Sequence, residues 1–277
     1  MLRSSLCLLG GLSLDAERRL WRQGILTWED YRRSADGVFS PARHHRVLAD
    51  IPAAETALEK GDLRFFLKHL PAAARMRVWP LLADRAVYLD IETTGLGPED
   101  VPTTAVLYDG HDLRAFVAGR NLHDLPESIR RNAVLVTYNG RRFDLPHLRC
   151  HLGCKFPYPH LDLAPVLRAT GYGPGLKASE RQLGVTRRLC ADMDGTGAVA
   201  LWRRFVEGEA SALETLLTYN AEDTLSLERV LVAACNASMK GCPCFQPISL
   251  PKQPDAGVLK TPRSVINGVE SLEDHKM

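Results

Sequence analysis

The chain has 277 residues, 45% of them hydrophobic and 25% charged, which supplies apolar material for one large domain or two modest ones and excludes global disorder. Its 21 Gly and 17 Pro are too few for a collagen-like or linker-dominated chain, and a formal charge of +2 excludes a strongly basic coat that binds nucleic acid non-specifically. Arg, Asp or Pro interrupts every apolar run before it is long enough to span a bilayer.

From residue 1 to about 80 the pattern is helical. The opening Leu6-Cys7-Leu8-Leu9 is cut short by Asp15, Glu17, Arg18 and Arg19, and no small-residue cleavage site follows, so a cytoplasmic location is expected. Ser13 is placed to cap a helix carrying Leu14, Leu20 and Trp21, and Thr27-Trp28-Glu29-Asp30 has the spacing of a capping box for a second. Further helical segments are expected near 53–60 and 63–69. The turn Gln23-Gly24-Ile25-Leu26-Thr27 is similar to a degenerate helix-hairpin-helix turn, whose N–H groups meet DNA phosphates. Gly10-Gly11 is out of place for that motif, and a plain helical appendage accounts better for the segment.

From Arg85 strands and helices alternate. Residues 86–92 read as a buried strand, 103–108 and 113–118 as a hairpin about Asp109-Gly110, and 133–138 as another apolar strand. Helices are expected at about 126–131, 145–152, 163–169, 177–183, 199–207 and 211–234. A hairpin followed by strand and helix alternation implies a mixed sheet flanked by helices, an α/β fold. The expected organisation is a helical leader over 1–80, an α/β domain over 81–240 and a disordered tail over 241–277. In that tail Pro243, Pro247, Pro251, Pro254 and Pro262 accompany few apolar residues.

Of the 35 basic residues 27 are Arg, a bias that genomic base composition explains as readily as phosphate recognition. Seven cysteines, an odd number without paired CxxC spacing, argue against a secreted disulfide scaffold. Cys150 and Cys154, with His147 and His151, have spacing that a zinc site permits. No second half-motif accompanies them, and packing as small hydrophobes accounts for them better. Cys242-Pro243-Cys244 has the same standing.

The most informative segment is Tyr88-Leu89-Asp90-Ile91-Glu92-Thr93-Thr94-Gly95-Leu96. In a strand, residues two apart share a face, so Asp90 and Glu92 project together, away from Leu89 and Ile91. Two carboxylates side by side at the end of an apolar strand repel unless a cation offsets them, and hard divalent ions take oxygen ligands. Asn139-Gly140-Arg141-Arg142-Phe143-Asp144 follows the next apolar strand as a sharp reversal, with Asp144 either a helix cap or a further ligand. In Tyr219-Asn220-Ala221-Glu222-Asp223, Tyr219 and Asp223 share a helix face that Leu216 and Leu227 turn inward, where an Asp needs a partner.

These three segments, in this order, resemble the DEDD (DnaQ-like) superfamily of 3′–5′ exonucleases. Asp90-x-Glu92 with Thr93-Thr94-Gly95-Leu96 matches the first motif, 139–144 the second, and Tyr219-x-x-x-Asp223 that of the tyrosine-bearing subgroup. The likeness runs from about Arg85 to Cys235. Within it His160-Leu161-Asp162-Leu163, Leu176-Lys177 with Leu183-Gly184, Ala200-Leu201-Trp202 and Tyr219-Asn220 are similar to the YprB-like branch, as are Phe65-Phe66 and Leu70-Pro71 of the leader.

The resemblance implies a ribonuclease H-like fold, with a mixed five-stranded sheet flanked by helices and a small N-terminal helical region. It further implies two Mg²⁺ or Mn²⁺ ions about 3.5–4 Å apart, acting on 3′ ends of single-stranded DNA or RNA. Asp90 would bridge the ions, Glu92 and Asp223 would complete one site, and Asp144 would serve the other. Tyr219 would orient the attacking water. Asp162, with Pro165 following, reads as an N-cap and not a fifth ligand. Arg141 and Arg142 can meet phosphates, although exposed loop arginines commonly do nothing specific, and Lys177, His147 and His160 have no stronger case. The alternative is a non-catalytic nucleic-acid-binding module on the same fold, against which the four intact acids argue. Ribose and deoxyribose are not distinguished.

Overall fold

A computed structural model describes residues 1–34, 37–189 and 193–252. It divides into two compact units, each drawn from more than one stretch of chain. One comprises Met1–Asp84, Pro165–Leu183 and Val230–Pro251, and the other Arg85–Ala164 with Gly184–Arg229.

In the helical unit, 3₁₀ turns at Leu2–Ser4 and Leu6–Leu8 precede α1 (Leu14–Arg22), α2 (Trp28–Ser34), α3 (Pro41–Glu59) and α4 (Leu63–His69). A further 3₁₀ stretch, Ala72–Val78, leads into the single turn α5 (Trp79–Leu82). Ser13 caps α1 by accepting from the Ala16 N–H, and Thr27 and Asp30 exchange the reciprocal bonds of a capping box at α2. Helix α3 begins well before the expected residue 53, running through Pro52. Pro52 has no N–H for the ladder, but Val47, Ile51, Ala54 and Ala57 bury one stripe that outweighs the lost bond. Trp21, Trp28, Tyr31, Ile51, Phe66 and Met76 are among this unit's buried side chains.

The same unit contains a buried ion pair. Arg77 Nη1 lies 2.7 Å from Glu17 Oε1, Glu17 Oε2 accepts from the Cys7 N–H, and Arg77 Nη2 donates to the Ser238 carbonyl. Residues 242–251 group with this unit too. The Asn236 side chain pairs with both the N–H and C=O of Ile248, and Cys242 is buried. The rest of the expected tail, 253–277, lies outside the described residues.

The second unit is built on β1 (Ala86–Thr93), β2 (Pro102–Tyr108), β3 (Leu113–Val117), β4 (Val134–Thr137) and, after α6 (Asp144–Leu152), β5 (His160–Asp162). The strand order is β3-β2-β1-β4-β5, with β1–β2 and β2–β3 antiparallel and β1–β4 and β4–β5 parallel. Of the helices that follow, most of α7 (Leu163–Ala169) and all of α8 (Leu176–Leu183) belong to the helical unit, and α9 (Gly195–Val206) and most of α10 (Ala210–Ser238) to this one. This is the mixed five-stranded, helix-flanked α/β arrangement anticipated above. Strand β5, three residues long, is too short to show alternation in sequence. The helix expected at 126–131 is replaced by a 3₁₀ turn at Leu122–Asp124 and further turns; Pro126 offers no N–H, and Leu122, Leu125 and Ile129 anchor the segment by burial.

Strand alternation separates two environments. Val87, Leu89 and Ile91 enter a core with Ala105, Leu107, Phe116 and with Leu145 and Leu148 of α6. Asp90 and Glu92 take the opposite face, where Asn220 of α10 bonds to Asp90 and to Thr104 of β2.

Candidate active site

Strand β1 is central, and its parallel neighbour β4 ends beside it. The β1–β2 register shifts between Glu92 and Thr93, an irregularity immediately after the two acids, with Thr93 then paired to Pro102. The loop that follows is closed by Asp100, which accepts from the Thr94 hydroxyl (2.8 Å) and the Gly97 N–H (2.6 Å). A Cβ on Gly95 would lie 2.6 Å from Asp100 Oδ2, so a side chain there would displace the carboxylate that closes the loop. The loop holds Leu96 out in solvent, 79% exposed, at the pocket mouth. His147 of α6 faces the loop's Gly97 carbonyl across 3.1 Å.

The turn after β4 uses Asn139 at φ 64°, a conformation Asn tolerates better than most residues. At Gly140 a Cβ would lie 2.2 Å from Thr137 Oγ1. Asp162 pins this turn by accepting from the Asn139 and Arg141 N–H groups, and it also accepts from the Ala164 N–H at the start of α7, as an N-cap does. The turn delivers Asp144 as the first residue of α6. Phe143 occupies the N-cap position, so Asp144 does not serve as that helix's cap. Its carboxylate is buried, and its Oδ1 has no hydrogen-bond partner among the described residues.

Helix α10 supplies the third wall. Tyr219 packs with Ala198 and Leu201 of α9 and with Ala212 and Leu216, and Asp223 lies one turn on. Arg187, from the loop before α9, pairs with Asp223 Oδ1. Asn220, fully buried, donates from Nδ2 to Asp90 Oδ2 at 2.7 Å and accepts from the Thr104 hydroxyl at 3.1 Å. The carboxylate, an acceptor, takes the NH2 end of the amide, and the Thr104 hydroxyl donates to its oxygen.

Asp90, Glu92, Asp144, Tyr219 and Asp223 thus line one pocket of about 250 Å³. Asp90, Glu92 and Asp223 each offer a carboxylate oxygen within 4.8 Å of the others, and Asp144 lines the same pocket. Burial first, then the charges of Asp223, Asp144 and Glu92, push the Asp90 carboxyl well above its usual range, while the Asn220 bond draws it back. Burial raises Asp144 to about 7, and the Asp162 charge adds to the rise. Burial, then the three neighbouring carboxylates, raises the Tyr219 phenol above its ordinary value, so it is protonated at neutral pH.

This donor set fits hard divalent cations. It is all oxygen, its charges crowd together in a way that a cation relieves, and Asp144 presents a buried oxygen with no partner among the described residues. The His147, His151, Cys150 and Cys154 set is not brought together in this way: among the described residues only Asp90, Glu92 and Asp223 form a cluster with metal-ligand spacing. Arg141 and Arg142 are exposed, and His160 contacts the Thr137 hydroxyl at 2.9 Å, with burial lowering its pKa to about 4. Asn220, Thr104 and Arg187 carry no role in the sequence reading. Asn220 lay inside a quoted motif, but nothing in its spacing points it at β1.

A family model of the RNase H superfamily matches residues 87–235, more than half of the chain, and the chain belongs to that superfamily. No curated protein matches it. Residues 87–235 therefore carry a ribonuclease H-like fold with an acidic cluster suited to metal, a fold that usually serves nucleases and commonly uses divalent ions. Among the described residues no helix is long and apolar enough to cross a membrane.

Proposed function

We propose that this chain is a metal-dependent 3′–5′ exonuclease of the tyrosine-bearing DEDD subgroup, in its YprB-like branch, hydrolysing phosphodiester bonds at the 3′ ends of single-stranded DNA or RNA. The observation that carries the reading is the convergence of Asp90, Glu92, Asp144, Asp223 and Tyr219 on one pocket from β1, α6 and α10. The family match supports a nucleic-acid substrate, and the motif order supports the exonuclease direction.

In this reading Asp90, Glu92 and Asp223 would hold one Mg²⁺ or Mn²⁺ ion, and Asp90 with Asp144 a second. Ions so bound supply Lewis acidity for in-line displacement at phosphorus. Asn220 holds one oxygen of Asp90 aside, which directs the other toward the pocket. Tyr219, protonated and seated beside Asp223, hydrogen-bonds the attacking water and sets its line of approach.

The test is degradation of DNA and RNA oligonucleotides, single- and double-stranded and labelled at the 3′ or 5′ end, with Mg²⁺, Mn²⁺ or EDTA. Stepwise shortening from the 3′ end that requires metal is expected, and Asp90→Asn or Asp144→Asn should abolish it without unfolding the protein. Binding of nucleic acid with no cleavage under any metal would establish the non-catalytic module instead.

A further inference from the structure

Asp223 has a second claimant. The Arg187 side chain is only 6% exposed, and its guanidinium sits on Asp223 Oδ1. Burying a guanidinium is unfavourable without an anion to pair it, and here the anion belongs to the acidic cluster itself. The placement is built in by three consecutive residues tied to α10. The Thr186 carbonyl accepts from Arg229 Nη1 at 2.9 Å, Arg187 pairs with Asp223, and the Arg188 N–H donates to Glu222 Oε2 at 3.3 Å. Val185, just before them, is buried, as is Glu222. The backbone is anchored on both sides of Arg187, so its side chain is the part that can change partners.

A divalent ion seated among Asp90, Glu92 and Asp223 would seek the same carboxylate charge that the guanidinium holds, and two cations at that separation repel. The ion and the guanidinium therefore compete for the Asp223 carboxylate. A phosphodiester entering the pocket brings anionic oxygens to the same place, and a planar guanidinium fork suits phosphate well.

We propose that Arg187 is a phosphate-binding residue held in reserve on Asp223: it neutralises the cluster in the metal-free protein, yields Asp223 to the ion, and turns to the phosphate of the nucleic-acid end. This rests on the reading of the pocket as a metal-dependent nuclease site. One side chain then links metal uptake to phosphate binding.

The test is calorimetric titration of the full chain with Mn²⁺, and of the Mn²⁺-saturated protein with thymidine 5′-monophosphate, for wild type, Arg187→Gln and Arg187→Lys. Arg187→Gln should bind Mn²⁺ roughly tenfold more tightly and the nucleotide roughly tenfold less tightly, the scale of one charged hydrogen bond. Arg187→Lys, which keeps the charge without the fork, should stay near wild type for Mn²⁺ and fall between for the nucleotide. Weaker Mn²⁺ binding by Arg187→Gln would mean that the arginine merely props Asp223, and would overturn the proposal, as would unchanged nucleotide affinity. If Arg187→Gln does not fold, the nucleotide affinity of Arg187→Lys decides: a loss supports the proposal and wild-type affinity overturns it. A wild-type chain that takes up no Mn²⁺ overturns the nuclease reading and this proposal together, whereas normal uptake with an indifferent Arg187→Gln overturns this proposal alone.

Discussion

Asn220→Ala tests the connection between fold and site most directly. Asn220 is fully buried between Thr104 on β2 and Asp90 on β1, donating to the carboxylate at 2.7 Å and accepting from the hydroxyl at 3.1 Å. A hydrogen bond to a charged group contributes about 1.5–3 kcal/mol, and leaving the buried Thr104 hydroxyl without its acceptor costs about 1–3 kcal/mol more. The metal-free protein should therefore lose about 2.5–6 kcal/mol, toward the lower end where water reaches Asp90. If Asn220 aims Asp90, turnover should fall by roughly 10–150-fold, the kinetic equivalent of the same bond. Urea unfolding in EDTA measures the first effect, and single-turnover cleavage at saturating Mn²⁺, under conditions where both proteins are folded, measures the second. Thr104→Val should give smaller losses in both, since it leaves the bond to Asp90 but frees the amide to turn. Turnover within about twofold of wild type in a folded Asn220→Ala protein would show that Asp90 needs no such support, and the positioning argument would be refuted.

Tyr219→Phe keeps the packing against α9 and all four carboxylates, so stability and Mn²⁺ affinity should barely change while turnover falls by roughly 10²–10⁴-fold; equal turnover would reduce Tyr219 to a packing residue. Glu228, beside Tyr88 and Tyr108, is raised to about 7, chiefly by burial, so the folded state holds its proton more tightly than the unfolded chain. Its contribution is fully present below pH 4 and lost as pH rises through 7, so Glu228→Gln should gain about 2–3 kcal/mol over wild type between pH 5 and pH 8. Urea curves in EDTA at the two pH values read this difference directly, and a pH-independent difference contradicts it. Glu17→Gln leaves the Arg77 charge buried and uncompensated, which should cost about 3–5 kcal/mol in thermal or urea unfolding. A loss below about 1 kcal/mol would mean that the pair is dispensable.

What the sequence by itself determined about this protein is local. Period two along β1 placed Asp90 and Glu92 on one face and Leu89 and Ile91 on the other, and a four-residue helical step put Tyr219 over Asp223. Ser13 and the Thr27–Asp30 pair marked the starts of α1 and α2, because a cap is a contact between residues three apart. Helix α3 starts well before the expected residue 53 for a tertiary reason: the buried stripe that carries it through Pro52 depends on what lies opposite. Only the tertiary structure decided which elements face one another. Asn220 meets Asp90 across 130 residues, Arg187 reaches Asp223 across 36, and Arg77 meets Glu17 across 60. The helical unit likewise gathers three separate stretches of chain. Periodicity records which side of an element is turned inward, but the partner on that side is chosen by packing of the whole chain, and no spacing within one segment encodes it.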